Sequence, residues 1–150
     1  MQAEPSRTGG DKPREAVFSL TGDSGCIADA RDFTAAFLYQ AYGQGISLTA
    51  DTVDVAQLVV SELVTNARRH APGPARLLLK IAPGAVQIAV WDTAPALPTP
   101  HSPDPHRVGQ HGLEIVKMLA QRLDVRPEPP GKRITAHLPL PEMSPVPYPR

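Results

Sequence analysis

At 150 residues the chain has the length of one domain. Fifteen Lys and Arg balance fifteen Asp and Glu, which argues against a general nucleic-acid or membrane-surface binder. Aromatic residues make up only 5% of the chain, so its core must be mainly aliphatic.

The opening "MQAEPSRTGGDKPRE" lacks the apolar centre of a signal peptide. No apolar run reaches the ~20 residues that span a bilayer. A soluble, cytoplasmic protein is expected, without direct nucleic-acid or membrane contact. Residues 1–13 read as a flexible lead-in, 14–140 as the ordered domain, and the proline-rich 141–150 as a flexible tail. "REAVFSLTG" reads as a strand running to Gly22. Cys26 is the lone cysteine, so no intrachain disulfide forms, as suits a reducing compartment. It stands where a helix could begin, in the role of a small apolar residue.

"DARDFTAAFLYQAYG" carries Phe33, Ala36, Phe37 and Ala41 at helical spacing and stops at Gly43. The long helix follows in "SLTADTVDVAQLVVSELVTNARRHAPG", with Thr49 or Asp51 as cap and Pro72-Gly73 as terminator. "ARLLLKIAPGAVQIAVWD" reads as two strands about a tight turn. The proline-rich "TAPALPTPHSPDPH" is a loop. "GQHGLEIVKMLAQRLDV" opens a helix with Leu113, Val116 and Leu119 or Ala120 on one face, and "RLDVRPE" and "KRITAHLPL" close the chain as strands. The order β-α-α-β-β-loop-α-β-β predicts an α+β sandwich, with helices on one face of a mixed, mostly antiparallel sheet.

The long helix carries more than a core needs. Ala56, Val59, Val60, Leu63, Val64 and Ala67 share one arc at 100° per residue. Glu62, Asn66 and Arg69 share another, within roughly 60°, and His70 lies at its border. A carboxylate and an amide one turn apart could hold a hydrated cation and orient a water or hydroxyl; a solvated helix face would look the same. Asp92 ends a strand where a carboxylate could accept from an exocyclic amine. "GQHGLEIV" starts a helix on two glycines, as phosphate-binding helix ends do, and so does a plain loop-to-helix junction.

The ordered set resembles the histidine-kinase-like (GHKL) ATPase superfamily, and within it the bacterial anti-sigma regulatory factors with serine-kinase character. "SELVTNARRHA" is similar to the N box E-L-x-x-N-A-x-x-H-A, "VWDTAPALP" to the adenine-site box, and "GQHGLEIVKMLAQRLDV" to the phosphate-lid box G-x-G-L-x-I-V-x-x-L-A. "GKRITAHLPL" resembles the final strand, and the likeness covers about Phe18 to Leu140. It implies the Bergerat α/β sandwich, with ATP and Mg2+ as cofactors. By the same likeness Asn66 would coordinate magnesium, Glu62 would polarise the attacking hydroxyl or water, and Asp92 would bind the adenine amine. Arg69 and His70 would lie near the phosphates, as would Gly109, Gly112 and Leu113 at the end of the lid. Ala94 and Ala96 stand at glycine positions of the adenine-site box, His111 precedes the second lid glycine, and Pro130-Gly131 replaces a glycine pair; Ala94 and His111 would line the same ATP site. The implied function is an anti-sigma serine/threonine kinase whose partners are a sigma factor and an anti-sigma antagonist, with a homodimer possible. The departures bear on turnover, and a partner-binding module of the same fold, without catalysis, is the alternative. The neutral chain and the lack of a helix-turn-helix pattern argue against reading "NARRHA" as a DNA contact.

Overall fold

The computed structural model describes residues 14–23, 25–70, 73–93 and 110–141, with side chains at 110 and 111 left out. The elements in chain order are β1 (Arg14–Leu20), α1 (Cys26–Gly43), α2 (Ala50–His70), β2 (Ala75–Ala82), β3 (Ala85–Asp92), α3 (Gln110–Leu119), β4 (Arg122–Glu128) and β5 (Gly131–Pro139). This is the predicted order. The flexible ends, the proline loop and the Pro72 helix stop lie outside the described residues.

One five-stranded sheet has the spatial order β1-β2-β3-β5-β4. All of its pairings are antiparallel, which fits the predicted α+β sandwich with a mostly antiparallel sheet; no parallel pair occurs among the described residues. The reason lies in the connections. Two helices separate β1 from β2, so β2 returns antiparallel to β1. The single helix α3 brings β4 back in the direction of β3, and β5 then turns in between them. The co-directional β3 and β4 therefore never touch.

Alternation along the strands supplies the lower half of the core. Leu77, Leu79 and Ile81 of β2, Val86, Ile88 and Val90 of β3, and Ile134, Ala136 and Leu138 of β5 are buried on the helical side. The intervening residues face away from the helices. At the β2–β3 turn Gly84 has φ +75°, a conformation that glycine adopts without steric cost.

The helices lie side by side on that buried face, α1 against α2 and α2 against α3. The α2 arc predicted to face the core does so: Ala56, Val59, Val60, Leu63, Val64 and Ala67 are all buried. Thr49 caps the helix, its hydroxyl accepting from the Thr52 N–H at 3.1 Å. The buried stripe of α1 is Ala30, Thr34, Phe37, Leu38 and Ala41. Ala36 is exposed because the stripe is rotated towards Ala30. Thr34 takes a core position by donating its hydroxyl to the Ala30 carbonyl at 2.8 Å. Cys26 begins α1 and is buried, as its apolar reading requires. The strand β1 stops at Leu20, two residues short of the predicted Gly22.

Candidate functional site

Four segment ends converge at one end of the sheet. His70 ends α2 and only four residues separate it from Ala75, which starts β2. Ala75 is the register partner of Asp92 at the end of β3, and Asp92 is the register partner of Lys132 at the start of β5. Over α2 lies the first turn of α3.

The polar arc of α2 splits by depth. Arg69 and His70 are exposed in the last turn. Glu62 is half-buried. Asn66 is only 5% exposed, although helical periodicity places it away from the densest apolar stripe. On that flank of α2 the start of α3 packs at Glu62, one turn away, a contact invisible to periodicity. Among the described residues the Asn66 side-chain amide makes no hydrogen bond, and Glu62 makes no ion pair. The amide atoms are not among the sealed, unpartnered polar atoms of the described residues, so the amide keeps an opening at which a ligand can reach it.

Gly112 closes the space in front of Glu62. A Cβ there would lie 2.6 Å from Glu62 Oε1, so the glycine lets the carboxylate lie directly against the start of α3. Gly112→Ala is expected to keep the fold. The helix gains alanine's propensity, and the clash falls on the movable end of a side chain, so the terms offset to within about 1 kcal/mol. The melting temperature should stay within about 4 °C of the parent, while the Glu62 carboxylate is displaced; a larger drop in a thermal melt would mean that Glu62 is held rigidly. Leu113 is partly buried and packs on the core, so its contribution is to seat α3. Ala94 and Gly109 lie outside the described residues, as does the side chain of His111.

At the base end, the structure adds a residue that the sequence motifs did not single out. Lys132 Nζ donates to both oxygens of Asp92, at 3.1 and 2.8 Å, and both side chains are 2% exposed. Direct register and shared burial make this a cross-strand ion pair inside the fold. Such a pair is roughly neutral against apolar replacements, but deleting one partner strands a buried charge and costs about 3–5 kcal/mol. The signal was present in the alternation: Lys132 has the parity of Ile134, Ala136 and Leu138, and Asp92 that of Val86, Ile88 and Val90.

A magnesium nucleotide fits these residues at one end only. The described residues hold no group of three or more His, Cys, Asp and Glu that could cage a metal. Magnesium instead favours few protein ligands, retained waters and phosphate oxygens, and the unpartnered, solvent-reachable Asn66 amide suits that role. At the other end the Asp92 carboxylate is already engaged.

No helix among the described residues is long and apolar enough to cross a membrane. Comparison with curated proteins returns no match. A family model described as "Histidine kinase-like ATPase domain" matches residues 26–138, from the first residue of α1 almost to the end of β5. That match takes in most of the chain, including Glu62, Asn66, Asp92, Gly112 and Lys132, and the chain belongs to the histidine kinase-like ATPase domain family.

Proposed function

We propose that the protein is an ATP-binding regulator, an anti-sigma serine/threonine kinase that phosphorylates an anti-sigma antagonist. The observation that supports this reading is Asn66, 5% exposed with an unpartnered amide that still reaches solvent, one helical turn from Glu62, with Gly112 at the start of α3 against that carboxylate. Bound magnesium would neutralise phosphate charge. The amide oxygen of Asn66 would be its protein ligand. The half-buried Glu62 would take the proton of an acceptor hydroxyl as the hydroxyl oxygen bonds to the γ-phosphorus and the bond to the ADP oxygen breaks. Arg69 and His70, exposed one turn further on, supply donors at the phosphate end.

Asn66→Ala tests the reading. Because the amide has no partner to lose, stability should change by no more than about 1 kcal/mol. Nucleotide titrations should lose their dependence on magnesium. A folded variant with unaltered magnesium-dependent binding would take Asn66 out of the site, and an unfolded one, seen by circular dichroism, would make the residue structural.

A second reading is a partner-binding module that turns over no nucleotide. The engaged Asp92 favours it, because the carboxylate that would read adenine is held by Lys132. A labelled-phosphate transfer assay on candidate antagonists separates the two.

A further inference from the structure

We propose that the uncovered face of the sheet docks an acidic segment of a protein partner, with an apolar side chain of that segment over Ala89 and its carboxylates on Arg76 and Arg126. This surface lies on the side of the sheet away from the helices, so the inference goes beyond the nucleotide reading and does not depend on it.

Strand register builds the surface. Val17, Leu78, Ala89, Thr135 and Asp124 form one row across all five strands, and Ser19, Arg76, Trp91, Arg133 and Arg126 form the next. In the first row Val17 is 55% exposed, and Leu78 and Thr135 are half-buried. Ala89 is the short side chain between those two, and a depression of about 170 Å³ opens there. Small-molecule sites have volumes of about 300–1,000 Å³. This one is too small for such a ligand and suits a single apolar side chain of a larger partner.

Charge selects that partner. On this face Lys80 pairs with Glu15 at 4.0 Å, Arg122 with Asp124 at 3.3 Å and Arg133 with Glu128 at 2.9 Å. Arg76 and Arg126 are exposed and make no ion pair among the described residues. They leave the face with surplus positive charge, although the chain as a whole is neutral. The Arg76 guanidinium lies 4.7 Å from the centre of the Trp91 ring, and Trp91 is itself anchored, its Nε1 donating to the Glu128 carbonyl at 3.1 Å. A guanidinium held on a ring face keeps its N–H donors for a carboxylate.

The spacing fits an extended chain. Arg76 is a diagonal neighbour of Ala89, about 7–8 Å away, and Arg126 stands three strands over from Arg76, about 14 Å away. About five extended residues cover that span. Other occupants fit less well. Glu15, Asp124 and Glu128 on the same face oppose a phosphate backbone. A second copy docked with its own depression on this one would set the basic side chains around Ala89, Arg76 and Arg133 to one side and Lys80 and His137 to the other, against their own counterparts, and like charges brought together at an interface are costly.

The experiment titrates the isotope-labelled full chain by NMR with a peptide of about ten residues in which Glu alternates with Leu, and with a control peptide carrying Lys in place of Glu. The Glu peptide should shift the amides of Leu78, Ala89, Trp91 and Thr135 and weaken as salt is raised; the Lys peptide should shift none of them. Arg76→Glu should weaken the Glu peptide at least about tenfold, the size of one charged hydrogen bond. Ala89→Gln, which fills the depression with a polar chain, should weaken it as well. Arg76 is exposed, so its variant decides the matter if Ala89→Gln does not fold. A Glu peptide that does not bind at about millimolar concentration, that binds no better than the Lys peptide, or that ignores Arg76→Glu would overturn the inference. So would a dimer, seen by light scattering, that becomes a monomer in Arg76→Glu or Ala89→Gln, because the face would then belong to a second copy.

Discussion

Replacing Gly131 with alanine should destabilise the protein by about 3 kcal/mol or more, the upper end of what overpacking costs. A Cβ at this position would run into the backbone carbonyl of Asp92, and would lie 2.6 Å from both the Asp92 carbonyl carbon and Thr93 Cα. These are backbone atoms of the neighbouring strand, so no rotamer change relieves the clash. Only a shift of β5 away from β3 does, and that shift breaks the ladder at the Asp92–Lys132 pair. Taking a urea m-value of about 1–3 kcal/mol/M, the midpoint should fall by about 1 M or more. Gly43→Ala is the control. It lies at the end of α1, where an added Cβ would meet nothing within 4 Å, and its midpoint should hold or rise slightly. Equal midpoints for the two variants would mean that β5 can yield at this point.

This dependence on a single glycine shows where sequence reading succeeds and where it stops. The motif places Gly131 at the entry to the last strand, but its necessity comes from the strand beside it, reached only through the β3–β5 register. The helices and strands themselves were legible because their periods were clean: α2 buries the arc that 100° spacing selects, and β2, β3 and β5 alternate as pleated strands do. Thr49 was legible as a cap because a hydroxyl before an apolar-periodic run has a local job. Asn66 was legible as a candidate for the site and illegible as a buried residue, since its burial depends on tertiary packing that helical periodicity does not carry. Lys132 lay between these cases. Its parity placed it inward, yet an inward lysine has meaning only once an inward carboxylate is found opposite it.

Glu62→Gln should separate a kinase from a binder. The substitution keeps the size of the side chain and removes its charge. Glu62 is half-buried and forms no ion pair among the described residues, so stability should stay within about 0.5 kcal/mol. If the carboxylate takes the acceptor's proton, phosphate transfer to an antagonist should fall by about 100-fold or more. On the proposed reading nucleotide affinity should change little, because the carboxylate would face the acceptor and Asn66, not Glu62, would hold the magnesium. Gly112→Ala should lower transfer in the same direction without removing the charge, since it displaces the carboxylate that now lies against α3. Together the two variants distinguish a positional requirement from mere presence of an acid. A module that only binds its partner gives another pattern: the parent transfers no phosphate, and partner binding survives Glu62→Gln. A parent that transfers phosphate at a rate untouched by the variant would place the general base elsewhere and leave Glu62 as a space-filling neighbour of Gly112.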